Sequence, residues 1–278
     1  MILNLTPNFE PLGAGIIEFE AFQFKGGEPH IKIKTNLNEG DEVTITQRVN
    51  SFNDFGLLLL TIDALRRMGV DTIRLFIPYF PAARQDRVMI PGEPLSVKVY
   101  ADIINNAKVH HTTIFDAHSE VTAAVLENCT IIPNHNFIDL VLQHLASGTL
   151  LVSPDGGALK KIYKVAEYLG GKKVIECSKS RDVETGKLTG FKVNAEDLDG
   201  KDCLIVDDIC DGGGTFLGLA VALKEKNAGR LFLAVSHGIF SKGFDDLAKH
   251  FDKVFTTDSF QEVSDPIIEQ IKLRKILK

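Results

Sequence analysis

Cys203-Leu-Ile-Val-Asp-Asp-Ile-Cys-Asp-Gly-Gly-Gly-Thr215 is the stretch from which the fold can be read. Cys203 through Val206 are apolar without interruption, the pattern of a strand buried on both faces of a parallel sheet. Two carboxylates, Asp207 and Asp208, follow where such a strand is expected to end. Asp211 then leads into three glycines and Thr215. Phe216, Leu219, Ala220 and Leu223 recur at i, i+3, i+4 and i+7, one apolar stripe of a helix. The order is strand, acidic glycine-rich loop, helix. Asp-Gly-Gly-Gly alone is also the composition of a tight turn; the acidic pair argues for a site. Ionised side chains are costly to bury unpaired, so the pair is expected to face an open cleft at the sheet's carboxyl edge, where ligands of open α/β sheets bind. The glycines let backbone amides turn toward an anion at the positive end of the helix. Carboxylates beside those amides suit a molecule carrying both phosphate and hydroxyls, or a hydrated divalent cation. A sugar phosphate fits both.

The 278 residues are 44% hydrophobic and 24% charged, a globular composition long enough for two domains, each with its own core. A net charge of −6 argues against a general nucleic-acid or membrane-surface binder. Neither a membrane-spanning apolar run nor a signal segment is seen, so a cytoplasmic protein is expected. Cys129, Cys177, Cys203 and Cys210 are scattered without C-x-x-C spacing and read as reduced thiols, without zinc or disulfides. Cys210, inside the loop, is expected to be open to alkylation.

Along the first half, short strands are expected over Ile2–Leu5, Gly15–Phe24, His30–Lys34 and Val43–Thr46, with turns at Lys25–Glu28 and Asn38–Asp41. Asp54 is the expected N-cap of a helix closing at Gly69. The buried strand Thr72–Pro78 runs into Arg84-Gln-Asp-Arg87, four adjacent multidentate side chains suited to a polyphosphate or nucleotide. A helix from Pro94 and Ser96 to Ile104 precedes the strand Thr112–Phe115, which ends in Asp116-Ala-His118. His118 there is a candidate metal ligand or phosphate donor. The second half repeats the rhythm. The strand Leu150–Asp155 leads through Gly156-Gly157 to a basic helix reaching about Leu169, and Lys173–Cys177 is a further strand. The polar segment 178–190 is expected to be a mobile loop. The strands Arg230–Ser236 and Lys253–Thr257 complete the pattern. Strands alternating with helices imply two related α/β domains, each a mainly parallel sheet flanked by helices, divided as 1–136 and 137–278.

Several of these motifs resemble those of ribose-phosphate pyrophosphokinases, which share the type I phosphoribosyltransferase fold. The Asp207–Thr215 loop is similar to that family's sugar-phosphate motif, although Gly212 stands where Thr is usual. Arg66-Arg67, Ile77–Phe80, Ala83–Arg87, the Pro94 helix and Asp116-x-His118 recur there in this order. So do Phe24-x-x-Gly-Glu28 (with Gly26 replacing an Asp), Ser153-Pro-Asp155 with its glycines, and His237–Ser241. The chain stops soon after Asp265, short of a further strand and helix usual in that family, so it resembles a divergent, C-terminally short member.

The resemblance implies Mg2+-dependent transfer of the β,γ-diphosphoryl group of ATP to the anomeric hydroxyl of ribose 5-phosphate, giving phosphoribosyl diphosphate and AMP. On that pattern Phe24, Glu28, Arg84, Gln85, Asp86 and His118 bind ATP. His118 and Asp155 hold Mg2+. Asp207 and Asp208 take the ribose hydroxyls, and Asp211, Gly212, Gly213, Gly214 and Thr215 take the 5′-phosphate. His118, Lys179 and Arg181 are the catalytic candidates, although the family's Lys-Arg-Arg run is broken here. A homo-oligomer, dimer or hexamer, is implied. Loss of the Thr at 212 leaves a second acceptor open, an extended ribose such as ADP-ribose. A phosphoribosyltransferase and a non-catalytic regulatory relative are the remaining alternatives. The 84–87 block argues against the first, and the intact charged centres against the second.

Overall fold

The structure, a computed structural model, describes residues 1–181 and 188–278, without the side chains of residues 180, 181, 188 and 189. It is an α/β fold of two compact units, residues 1–133 with 273–278, and residues 134–272.

The first unit opens with β1 (Ile2–Asn4), then the hairpin β2 (Phe19–Gln23) and β3 (Pro29–Ile33), then β4 (Glu42–Thr46). Helix α1 (Phe52–Arg67), β5 (Thr72–Phe76), α2 (Ser96–Asn106), β6 (His111–Phe115), α3 (Glu120–Val125) and β7 (Cys129–Ile132) follow. Five strands form one parallel sheet in the order β1-β4-β5-β6-β7. The pair β2-β3 is a separate antiparallel ribbon, packed through β3 against α1. Alternation puts Val43, Ile45, Ile73 and Leu75 into the core, where Phe55, Leu58, Ile62 and Leu65 of α1 meet them. The N-cap of α1 is Ser51, not Asp54 as its composition suggests. Ser51 Oγ accepts the Asp54 N–H at 3.1 Å, and Asp54 Oδ2 accepts from the Ser51 hydroxyl and the Asn50 N–H. Together they form a capping box, in which the acidic residue belongs three positions inside the helix.

The second unit comprises α4 (His135–Gln143), β8 (Leu150–Ser153), α5 (Leu159–Tyr168), β9 (Val174–Arg181), β10 (Leu188–Val193) and β11 (Cys203–Cys210). It continues through α6 (Gly214–Glu225), β12 (Leu231–Gly238), α7 (Asp245–His250), β13 (Lys253–Thr257) and β14 (Ile268–Ile271). The short α8 (Leu273–Ile276) belongs to the first unit. The sheet order is β10-β9-β8-β11-β12-β13-β14, parallel except for β9 with β10. β11 and β12 are central, and Leu204, Ile205, Leu233, Ala234 and Val235 are fully buried, the uninterrupted apolar pattern of two-sided burial.

Three expectations are corrected. β11 does not end at Asp207 but runs on to Cys210, because β12 extends beside it and pairs Cys210 with Gly238. Segment 178–190 is in large part a β-hairpin, with β9 reaching Arg181 and β10 returning from Leu188; the mobile loop expected there falls otherwise on residues 182–187, outside the described residues. β2 covers only the last part of the strand expected from Gly15. Among the described residues no helix is long and apolar enough to cross a membrane.

Candidate active site

In the second unit the parallel strands deliver the charged residues to one edge. Asp155 follows β8, Lys179 lies on the adjacent β9, and Asp207 and Asp208 lie near the end of β11. The Lys179 ammonium pairs with Asp155 Oδ2. Asp155 Oδ1 accepts the N–H groups of Gly157 at 2.9 Å and Ala158 at 3.1 Å, which fixes the turn into α5. Both Asp155 oxygens are therefore engaged, one by the backbone and one by a cation. Asp207 and Asp208 would point to opposite faces of a regular strand. Here the Asp208 N–H donates to Asp207 Oδ1 at 2.9 Å, and both residues line a narrow crevice with Asn134 of the α4 cap and Lys161 of α5.

The expected open cleft is a narrow crevice here, with Asp207 partly exposed and Asp208 only 7% exposed. Burial pushes the Asp207 carboxyl well above the ordinary carboxylate range. The Asp208 charge, a hydrogen bond between the two side chains and the Asp155 charge push it further the same way. Two crowded carboxylates cannot both ionise cheaply, so burial and the Asp208 charge together disfavour proton loss from Asp207.

Asp211 Oδ1 accepts the Ser241 hydroxyl at 2.6 Å, so this carboxylate is turned toward the segment after β12. Gly213 is the N-cap of α6 with φ of +76°, a left-handed conformation that favours glycine, and no side chain caps the helix. The first amides of α6, from Gly214 and Thr215, therefore remain available to an anion as far as capping is concerned. Cys210 is fully buried, and burial, followed by the Asp207 and Asp211 charges, pushes its thiol up to about 12. The expected alkylation sensitivity is overturned, since the thiolate is the nucleophile. All four cysteines are free.

In the first unit Arg84 and Gln85 are exposed in the turn after β5, whereas Asp86 between them and Arg87 is buried. Burial raises the Asp86 pKa, but hydrogen bonds from Arg87 and Ser119 and the charges of Arg87 and His118 outweigh it and leave the carboxyl below its usual range. Arg87 Nε donates to Asp86 Oδ1 at 3.0 Å. Asp86 thus faces inward and ties the 84–87 turn to the 118–119 turn at the end of neighbouring β6, while Arg84 and Gln85 stay exposed and His118 is half-buried. Asp116 supports that second turn from a left-handed φ of +43°.

Phe24 and Glu28 sit at the tip of the β2-β3 ribbon, where the Phe24 N–H donates to the Glu28 carbonyl at 2.9 Å. Phe24 belongs to an exposed ring cluster with Phe22 (4.9 Å) and His30 (5.6 Å), two residues the motif comparison had passed over. Their alternation on a two-stranded ribbon was the available signal. Lys161 was missed too, because its place in the crevice beside the acidic pair depends on α5 packing over β8 and β9. The Arg181 side chain lies outside the described residues.

Among the described residues no three or more His, Cys, Asp or Glu side chains gather into a metal site. Asp155 nevertheless holds a cationic ammonium within a group of mutually repelling carboxylates, so the donor chemistry there fits a hard cation that keeps most of its own ligands.

Two family models match the chain. That of the N-terminal domain of ribose phosphate pyrophosphokinase covers residues 9–107, and that of the phosphoribosyl transferase domain covers residues 134–270. The ribose-phosphate pyrophosphokinase of Thermococcus kodakarensis is 32% identical over 254 residues, covering 89% of this chain and 87% of the relative. That of Vibrio parahaemolyticus is 34% identical, with 85% and 77% covered. Among solved structures, the phosphoribosylpyrophosphate synthetase from Mycobacterium smegmatis superposes with a TM-score of 0.83 at 24% identity, covering 95% of this chain and 88% of that one; it shares the fold.

Proposed function

This chain belongs to the ribose-phosphate pyrophosphokinase family and is an ATP-dependent diphosphotransferase, and from that premise we propose that its acceptor is the anomeric hydroxyl of ribose 5-phosphate. The new bond joins the sugar O1 to the β-phosphorus while the bond from that phosphorus to the α,β-bridging oxygen breaks. AMP leaves with the bridging oxygen, and the hydroxyl proton passes to water. Phosphoryl chemistry of this type asks little covalent work of the protein, so positioning and charge stabilisation carry the rate.

The observation that carries the reading is the grouping of Asp155, Lys179, Asp207 and Asp208 at one sheet edge, where the glycine loop opens α6. The acidic pair would accept from the ribose hydroxyls, and a proton held on Asp207 would let it donate to them as well. Gly212, Gly213, Gly214 and Thr215 would cradle the 5′-phosphate on the helix N-terminus, and Asp211 would hold the loop's neighbour in place. Arg84, Gln85 and His118 would bind the triphosphate, Asp86 would position them, and Phe24 and Glu28 would meet adenine. On this reading residues 1–136 form the ATP side and 137–278 the sugar-phosphate side. Lys179, released from Asp155, would stabilise the transferring group together with Arg181. His118 in the first unit and Asp155 in the second would each be a candidate Mg2+ ligand, and Mg2+ when bound neutralises the polyphosphate charge.

A second acceptor, ADP-ribose, is favoured by one feature: a Cβ added at Gly214 would meet nothing within 4 Å, so the loop's outer side has room for a group beyond the phosphate. Incubation with ATP, Mg2+ and either acceptor, with nucleotides and products weighed by mass spectrometry, separates these readings. AMP is the expected product, formed only with acceptor present. Stoichiometric ADP would overturn diphosphoryl transfer, and AMP formation with ADP-ribose alone would transfer the assignment to that acceptor.

A further inference from the structure

We propose that Lys242 is a specificity-determining residue that brings a cation to the acceptor's phosphate in place of a side chain at position 212; this rests on the acceptor site proposed above.

The segment after β12 is fastened to the end of β11. The Ile239 and Phe240 N–H groups donate to the Cys210 carbonyl at 2.9 and 3.1 Å, and the Ser241 N–H donates to the Asp211 carbonyl at 3.2 Å. The Ser241 hydroxyl adds its bond to Asp211 Oδ1. Phe240 and Gly243 both take left-handed φ, +49° and +71°, turning the chain sharply on either side of Lys242. Lys242 is therefore carried on a backbone tied to the loop itself. Its stem lies across Gly212: Cγ, Cδ and Cε are 3.5, 3.3 and 3.3 Å from where a Cβ on Gly212 would stand. A side chain at 212 would press on this stem and oblige it to give by a few tenths of an ångström.

The ammonium lies one bond beyond Cε, on an exposed side chain at the lip of the loop that opens α6. Charge explains why a cation is useful here. A phosphate entering this loop meets Asp211, Asp207 and Asp208 nearby, whereas the helix N-terminus offers only about half a positive charge. A threonine hydroxyl would donate as a neutral group. An ammonium donates roughly twice as strongly and offsets the carboxylates besides. Its flexible stem also leaves it free to follow the anion. The ligand chemistry is a phosphate on the acceptor's 5′ side, either the terminal monoester of ribose 5-phosphate or the diphosphate of ADP-ribose.

The test combines Lys242→Met, which keeps the stem and removes the charge, with Lys242→Arg, Lys242→Ala, Gly212→Thr and the Lys242→Ala/Gly212→Thr double variant. Acceptor and ATP KM are measured by AMP release with both acceptors, and ribose 5-phosphate binding by calorimetry. Lys242→Met is expected to raise acceptor KM about tenfold, with ATP KM within about twofold and kcat falling by less than KM rises. Lys242→Arg should restore binding. Gly212→Thr should weaken binding in the parent and improve it in the Lys242→Ala background, where neither the stem nor the charge remains, a coupling that a merely structural lysine would not produce. An effect confined to ribose 5-phosphate would assign Lys242 to the terminal monoester, and one shared by ADP-ribose to the phosphate common to both. Unchanged acceptor KM and calorimetric affinity in a folded Lys242→Met protein would overturn the inference. If no acceptor yields AMP, the proposed reaction fails, and calorimetry still decides the role of Lys242.

Discussion

Asp207 and Asp208 share a peptide bond and a crevice, and that proximity sets stability against chemistry. A carboxyl whose folded pKa is raised contributes stability that is complete below its unfolded value and is lost as pH rises through the folded value. Above the unfolded pKa the buried Asp207 carboxyl is therefore a destabilising element, and on the proposed reading neutral and ionised oxygens side by side would suit sugar hydroxyls. Asp207→Asn should accordingly yield a more stable and less active protein. Its Tm is expected to exceed the parent's by a few degrees at about pH 8, each kcal/mol relieved being worth about 2–4 °C in a chain of this size, and by less at about pH 5. Thermal melts across that range check it, and a lower Tm at about pH 8 would remove the repulsion argument. The departures at 26 and 212 have a common physical form. A Cβ at Gly26 would fall 2.6 Å from Glu28 Oε2, so in both places a neighbouring charged side chain lies over a glycine, at positions where the motifs it resembles carry a polar residue.

At the scale of elements, β11, the glycine loop and α6 are one continuous strand–loop–helix unit, and its three glycines are not equivalent. Gly213 needs its left-handed φ, and a Cβ there would sit 3.3 Å from Leu247 Cδ2. Gly214 has a helical position and open space around it. Gly213→Ala is expected to cost about 1–2 kcal/mol from backbone strain alone, and Gly214→Ala to be neutral or to stabilise by about 0.4–1 kcal/mol by restricting the unfolded chain. Chemical denaturation of the two variants provides the comparison; equal losses would mean that Gly213 is not conformationally required. The capping box of α1 shows how much of an element is written locally, since Ser51 and Asp54 three residues apart are its whole signature. Reading Asp54 as the cap placed the right residue one role too late.

For the molecule as a whole, each unit carries its own sheet and core, with Leu3, Leu58 and Ile73 fully buried in one and Leu204, Leu219 and Leu233 in the other. The first unit is not contiguous in sequence, because residues 273–278 rejoin it. Leu273 is fully buried, Ile276 is 2% exposed, and Arg274 Nη1 reaches Glu10 Oε2 at 3.5 Å. Deleting 273–278 should therefore act as a core deletion, costing about 3–6 kcal/mol for the two apolar side chains. A lowered Tm with faster proteolysis of residues 1–133 is expected. An unchanged melt would show that α8 merely lies on the surface.

What the sequence determined by itself is what depends on neighbours in the chain. The strand–loop–helix order at Cys203–Leu223, the apolar stripe of α6 and the adjacent polar block at 84–87 were legible because a strand has period two, a helix period 3.6, and glycine a backbone freedom of its own. The full length of β11 was not legible, because a strand continues wherever its neighbour offers hydrogen bonds, and β12 offers them as far as Gly238. Nor was the inward turn of Asp86, which Ser119 and Arg87 hold from two different turns. The burial of Cys210, the joint crevice of Asp207, Asp208 and Lys161, and the lysine stem across Gly212 are likewise contacts between residues distant in sequence. Local pattern records which face a residue takes; only packing decides what stands opposite it, and that partner sets its charge state and its access to a ligand.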